Sequence, residues 1–291
     1  MKKPNLKILK TTIAVILPGC IAIAANAQKL PTIQKTSMRE PANIKINGKA
    51  TEWNNKFQAF NKVTDIFYTL ANDDTQLYLT IQATDPTIIT KIVQGGVTFT
   101  INSEGKKNDK DGVAITFPAY DKNNKPFHVM MSNRPGATKD TLQNRMLTDS
   151  FMNVLNAQLA DHLKIIEVDG VKAVADNIIS IYNEEGIMAV SRFDNKIFYT
   201  CEIVIPLKYL GFIPIVTGDK QSKFSYNIKL NGIVPKGASV MDGASFGRPD
   251  LKILTYTDTD GKSIQMDGTM PENLILAYPT DFWGEYTLAK K

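Results

Sequence analysis

Short runs in which apolar and polar residues alternate recur along most of this chain, and turn-forming residues separate them. The clearest pair is TDIFYTLA (64–71) and TQLYLTIQAT (75–84), both rich in β-branched and aromatic residues. Between them, Asn72, Asp73 and Asp74 tolerate the backbone angles of a tight turn. This stretch therefore predicts an antiparallel hairpin.

The same alternation continues towards the C-terminus, in stretches such as GGVTFTIN, DGVAITFP, GIMAVSRF, KIFYTCEIVI and KFSYNIKLNG. One region, from about Asp140 to Leu163, has helical spacing instead, and its apolar residues fall near one face: Leu142, Met146, Phe151, Leu155 and Leu159. Many short strands and one good helix predict a mainly β fold, an antiparallel β-sandwich of jelly-roll or immunoglobulin-like type with one inserted α-helix.

The first 27 residues have the features of a secretory signal peptide. Lysines at positions 2, 3, 7 and 10 precede an apolar run, and ANA (25–27) is a small-residue cleavage site. The run is shorter than the roughly 20 residues that span a bilayer, so we expect no transmembrane segment in the mature chain. LPGC (17–20) offers an alternative, a lipid anchor at Cys20; we favour cleavage after Ala27. The protein is then exported to the periplasm, the cell surface or the medium.

The rest of the chain is predicted to comprise an exposed lead-in, residues 28–42, and one β-sandwich domain, residues 43–291. The lead-in has two prolines and no periodicity, and nothing divides the remainder into two cores. After cleavage Cys201 is the one remaining thiol, and its alternating context, FYTCEIVIPL, predicts a small core residue.

The charge of the chain gives no reason to expect nucleic-acid binding. The formal net charge of +5 includes the four lysines of the leader, which leaves +1 from 30 Lys and Arg against 29 Asp and Glu. Binding to nucleic acid needs a basic surface that neutralises phosphates. We therefore predict no nucleic-acid partner.

Catalytic motifs do not assemble in the sequence. GASFG (243–247) fits the G-x-S-x-G pattern around Ser245, but Pro249 is unsuited to the helix that should follow. In hydrolases of that fold the histidine follows the serine, whereas His128 and His162 both precede it. We interpret the string as a glycine-rich loop and predict that the protein is not an enzyme.

Acidic residues in two turns suggest a site for a structural calcium ion. NDKDG (108–112) has a calcium-loop rhythm, but an EF-hand register would place Lys107 and Pro118 at positions that need oxygen donors. A looser site built from backbone carbonyls and carboxylates remains a hypothesis; its candidate residues are Asp73, Asp74, Asp109 and Asp111.

Three segments, taken in order, resemble the family 9-like carbohydrate-binding modules, which are DOMON-like β-sandwiches. IKINGKATEW (44–53) resembles their opening strand and turn, with Asn47 where aspartate is usual. ANDDTQLYLTIQATDP (71–86) resembles their acidic hairpin, and YTCEIVIPLKYLG (199–211) resembles their late segment. The resemblance implies a secreted β-sandwich, often with structural calcium, and no catalytic residue.

Sugar-binding sandwiches stack pyranose rings on exposed aromatic side chains. Trp283 is our main candidate for stacking, with Phe282 and Tyr286 close by in sequence and Trp53 as a further candidate that also suits a packed anchor. We therefore predict an exported, non-catalytic protein that binds a poly- or oligosaccharide. Two alternatives stay open: a structural or interaction domain of the cell envelope without sugar binding, and a glycoside hydrolase with an unrecognised carboxylate pair.

Overall fold

The structure is a computed structural model and describes most of the chain from Lys29 onward. The described residues are 29–108, 110–121, 126–129, 131, 135–136, 140–211, 223–233, 239–242, 252–257, 262–268 and 270–291. The predicted signal peptide with Cys20, the candidate ligand Asp109 and the loop around Ser245 lie outside the described residues.

Two antiparallel sheets confirm the predicted mainly β fold. One contains β1 (Ala59–Asn61), β2 (Ile66–Asn72), β3 (Gln76–Ala83), β8 (Met188–Phe193) and β9 (Tyr199–Pro206), in the spatial order β1-β2-β3-β9-β8. The other contains β4 (Val97–Asn102), β5 (Val113–Phe117), β6 (Ile165–Asp169), β7 (Ile178–Ser180), β10 (Lys223–Leu230) and β14 (Thr280–Thr287), in the order β14-β10-β4-β5-β6-β7.

A third, small antiparallel sheet lies late in the chain. It consists of β11 (Ser239–Asp242), β12 (Lys252–Thr257) and β13 (Ser263–Asp267). Of its described side chains, Leu254 is buried, and it does not belong to the main hydrophobic core.

The main core lies between the two large sheets, where their inward side chains meet. Tyr68 on β2 faces Tyr226 on β10, and their hydroxyl oxygens are 2.9 Å apart. The ring of Phe282 on β14 lies 5.1 Å from that of Tyr68, centroid to centroid. Cys201 is buried in the same core, as predicted, and burial raises the pKa of its thiol.

The described residues contain three α-helices, where the sequence predicted one. The predicted helix is α2 (Thr141–His162), and its Asn156 exchanges two hydrogen bonds with the backbone of Phe193 on β8. Leu155 and Leu159 are buried beside this docking point, as expected. The predicted apolar face is wrong in the first turns, because Leu142 and Met146 are 66% and 65% exposed.

The helices α1 (Pro86–Gly95) and α3 (Pro271–Ala277) were not predicted. Asp85 caps α1 by accepting hydrogen bonds from the backbone N–H groups of Thr87 and Ile88. The helix buries its isoleucines in the main core and packs against α3. Lys91 on α1 is also buried and donates to the Thr280 hydroxyl at 3.1 Å; burial lowers the pKa of its ammonium group to about 8.

The opening strand that the resemblance implies is absent. Residues 43–48 carry the predicted Asn47–Gly48 turn, with Gly48 at φ +73°, but they form no strand.

The predicted lead-in is only partly exposed, because it lies along the sandwich. Gln34 is buried, and its side chain donates to the carbonyl of Leu70 and accepts from the N–H of Leu70, both at 2.8 Å. Arg39 forms a parallel bridge with Asn72 at the end of β2. Among the helices of the described residues, none is long and apolar enough to span a bilayer.

Candidate functional site

The outer face of the five-stranded sheet carries a row of side chains, and two of them, Phe67 and Gln82, line a groove. The strand registers place Phe60, Phe67, Gln82, Thr200 and Arg192 next to one another, from β1 to β8. Their chain neighbours on β2, β3 and β9 are core residues, and successive side chains alternate between faces, so this row points away from the core.

The groove over this face has a volume of about 1120 Å³. Drug-sized ligands occupy clefts of roughly 300–1,000 Å³, so an extended ligand of several rings fits here. Four parts of the chain line it: the lead-in, residues 55–58, the outer face of β2 and β3, and the β8–β9 turn.

The lead-in is held in place as one wall of the groove. The carbonyl of Pro31 accepts a hydrogen bond from the backbone N–H of Phe60 at 2.9 Å. The Asn61 side chain donates to the carbonyl of Thr32 at 3.2 Å. The lead-in is thus bound to β1 at Pro31 and Thr32.

The second wall, residues 55–58, follows a sharp reversal of the backbone. Asn54 and Asn55 both have left-handed dihedral angles, with φ of 52° and 53°, a conformation that asparagine tolerates better than most residues. After this reversal the backbone N–H of Gln58 donates to the carbonyl of Tyr68 at 3.1 Å. Phe57 and Gln58 are thereby brought to the groove.

Asp194 organises the third wall, the β8–β9 turn. One of its carboxylate oxygens accepts hydrogen bonds from the backbone N–H groups of Lys196 and Phe198, at 2.8 and 3.0 Å. These bonds hold the turn in the shape that brings Phe198 to the groove next to Thr84. Asp194 is the one carboxylate among the described lining residues of the groove.

Aromatic rings and amides together form the floor. Phe67 packs on Phe57, with ring centroids 5.9 Å apart, and on Phe60, at 4.6 Å. Phe67 and Phe198 are half-buried, so part of each ring faces the groove. Gln82, the cross-strand neighbour of Phe67, donates to the Thr200 hydroxyl at 3.0 Å, which fixes its amide.

The aromatic residues predicted for sugar stacking do not lie together on a surface. Phe282 and Tyr286 point into the main core, at 8% and 3% exposure, so the prediction that they contribute to a binding surface is wrong. They alternate along β14 with Trp283, which faces outward and is half-buried beside Asn227 of β10. Trp283 does not line the groove.

Trp53 is a packed anchor and not a stacking surface. It is 5% exposed and forms a second, smaller apolar cluster with Ala71, Tyr78 and Val204. Trp53, Tyr78 and Val204 come from the three segments that carry the resemblance, so these segments meet in space on the outer face of the five-stranded sheet.

Glu202 links two of the same segments. Its Oε2 accepts hydrogen bonds from the backbone N–H groups of Asn47 and Gly48, at 2.8 and 2.7 Å. Its Oε1 has no hydrogen-bond partner among the described residues. Burial raises the pKa of this carboxyl to about 7 and Glu52 adds to the rise, although the two N–H groups oppose it.

The acidic residues proposed for calcium already have protein partners where they are described. The carboxylate of Asp73 accepts hydrogen bonds from the N–H groups of Thr75 and Gln76 and from the Tyr78 hydroxyl. Burial raises the pKa of Asp73, but these bonds outweigh it and hold the pKa below its usual value.

Asp74 pairs with Lys291 and Arg39, at 2.7 and 2.8 Å, which lowers the pKa of its carboxyl. Asp111 is exposed. The described part of the chain contains no group of three or more His, Cys, Asp or Glu side chains placed to hold a metal ion. Calcium binding at these residues stays a prediction.

The sequence did not predict the groove. Its residues come from positions between 29 and 198, and no single segment carries a motif. The one available signal was the outward register of β2 and β3, which places Phe67 and Gln82 on the same face.

In comparisons with known proteins, no family model, curated protein or solved structure matches the chain.

Proposed function

We propose that the protein binds carbohydrate in the groove on the five-stranded sheet, and that it does so without cleaving it. The observation that carries the proposal is the lining of the groove, which combines the half-buried rings of Phe67 and Phe198 with the fixed amide of Gln82. A pyranose ring has the complementary pattern, with apolar C–H faces and a polar rim of hydroxyls.

The ordered resemblance to family 9-like carbohydrate-binding modules supports the same proposal. The segments that carry the resemblance pack against one another and do not form the proposed site. The contacts between them are made by Trp53, Tyr78, Val204 and Glu202. The proposed binding residues, Phe67, Phe198 and Gln82, lie elsewhere on the same face. We place the site there instead of at Trp283, because the groove is concave and combines rings with amides.

The carboxylates favour binding over hydrolysis. Glycosidases of the common two-carboxylate type place their acidic groups about 5–10 Å apart across the sugar. The described lining of the groove has one carboxylate, Asp194, and two backbone N–H groups already occupy one of its oxygens.

Isothermal titration calorimetry against a panel of oligosaccharides tests the proposal, with two variants compared. Phe198→Ala removes a ring at the groove and is expected to weaken binding by tenfold or more. Trp283→Ala, which removes the outward aromatic of β14, is the matched control and should bind as the native protein does.

Circular dichroism of both variants checks that the fold is retained. Loss of binding in Trp283→Ala but not in Phe198→Ala would move the site to the six-stranded sheet. Absence of binding to every oligosaccharide by the folded native protein would overturn the proposed function.

A further inference from the structure

We propose that the glycan bound in the groove is anionic, with carboxylate or sulfate groups on its sugar units; this inference rests on the proposed function and narrows its ligand class. The side chains that line the groove include four lysines, Lys29, Lys35, Lys56 and Lys196, and one carboxylate, Asp194. Four positive charges against one negative charge leave a formal +3 around the site.

These lysines reach the groove from three separate parts of the chain. Lys29 and Lys35 belong to the lead-in, Lys56 to the wall that follows the left-handed asparagines, and Lys196 to the β8–β9 turn. All four are exposed, and Nζ of Lys196 lies 5.9 Å from the centroid of the Phe198 ring. A ligand on the floor would therefore meet positive charge on more than one side.

The lysines of the lead-in and of the second wall are available to a ligand. Lys29, Lys35 and Lys56 form no ion pair with a carboxylate of any described residue. Asp194, the one lining carboxylate, is directed to backbone N–H groups of its own turn. The positive charge of these three lysines is thus not neutralised by a carboxylate of the described residues.

The excess is local and not a property of the whole surface. Without residues 1–27 the chain has a formal charge of +1. A smaller cavity of about 420 Å³ near the β2–β3 turn has the opposite balance, with Asp74, Glu184 and Glu185 against Lys208. A cleft lined by one sign of charge attracts ligands of the other sign and speeds their association.

A paired comparison of ligands tests the inference by calorimetry at low and high salt. Oligogalacturonate is compared with its methyl ester, and dextran sulfate with dextran, so that each pair differs in charge on one backbone. We expect the charged member to bind at least tenfold more tightly, with a preference that shrinks as salt is added. Which pair shows the larger preference distinguishes carboxylate from sulfate.

Charge-neutralising variants identify the groups responsible. The double variant Lys35→Gln/Lys56→Gln is expected to weaken binding of the charged glycan by about tenfold. Each exposed lysine–anion pair contributes a factor of about two to five, and the two factors multiply. Binding of the uncharged glycan should not change. The control is Lys172→Gln, at an exposed lysine between β6 and β7. This variant should bind the charged and the uncharged glycan as the native protein does.

The outcomes separate this inference from the proposed function. Equal affinity for both members of each pair, unchanged by the lysine variants, overturns the anion preference and leaves carbohydrate binding intact. No binding to any of the four ligands overturns carbohydrate binding itself. Tighter binding of a fifteen-nucleotide oligothymidylate than of any glycan also overturns the inference, since rings and lysines together suit single-stranded nucleic acid as well.

Discussion

Individual buried polar residues fix how the outer segments lie on the five-stranded sheet. Glu202 receives two backbone N–H groups from the Asn47–Gly48 turn, and Gln34 receives and donates one hydrogen bond at Leu70. A buried polar group that lost such partners would cost about 1–3 kcal/mol. These contacts therefore specify where the outer segments lie, and the groove is found on the part of the face that carries Phe67 and Gln82.

Glu202 makes stability depend on pH in a direction opposite to that of most carboxylates. Its pKa in the folded protein, about 7, lies above the ordinary value of 4.5. The folded state thus holds the proton more tightly, and the free energy of unfolding should fall as pH rises between these values, by up to about 3 kcal/mol. Glu202→Gln keeps an oxygen that accepts the two N–H groups and cannot ionise.

We expect Glu202→Gln to gain stability relative to the native protein on going from pH 5 to pH 8, as measured by urea unfolding. Glu167→Gln, at an exposed position on β6, is the control and should follow the native protein at both pH values. If Glu202→Gln shows the same pH dependence as the native protein, the carboxyl does not titrate in this window.

At the level of elements, glycines mark where two segments approach too closely for a side chain. Gly48 has φ +73°, and a Cβ there would lie 2.7 Å from the Cβ of Arg192 and 2.9 Å from its backbone nitrogen. Gly105 has nearly the same φ, +77°, but open space around it. A comparison of the two glycines therefore distinguishes the cost of a strained backbone from the cost of a steric clash.

Gly105→Ala should cost about 1 kcal/mol in free energy of unfolding, from the left-handed conformation alone. Gly48→Ala should cost about 3 kcal/mol, because the methyl group also pushes the turn away from β8. Guanidinium unfolding of the two variants measures the difference. Equal costs would mean that the turn moves freely and is not held against the sheet.

The elements that the sequence predicted are those determined by nearby residues. The β2–β3 hairpin was predicted because alternation and the turn chemistry of Asp73 act within 20 residues. The helix α1 was missed because PTIITKIVQG is rich in β-branched residues, although Asp85 and Pro86 are both helix-start signals. Burial of its isoleucines in the core outweighs their modest helix propensity.

At the scale of the whole molecule, the groove results from a division of the sheet's outer face. One end of this face is covered, and the buried side chains there are Trp53, Tyr78, Val204 and Glu202. Phe67 and Gln82, at the other end, are bordered by the lead-in and the β8–β9 turn. No local pattern predicts such a division, because it depends on residues more than 100 positions apart coming together.

Hydrogen–deuterium exchange with mass spectrometry, with and without a bound oligosaccharide, tests most directly that the groove is the binding site. We predict slower exchange on binding in residues 55–58 and 194–198, with no change in β14. Slower exchange confined to β14 around Trp283, with the two walls of the groove unaffected, would contradict the proposed site.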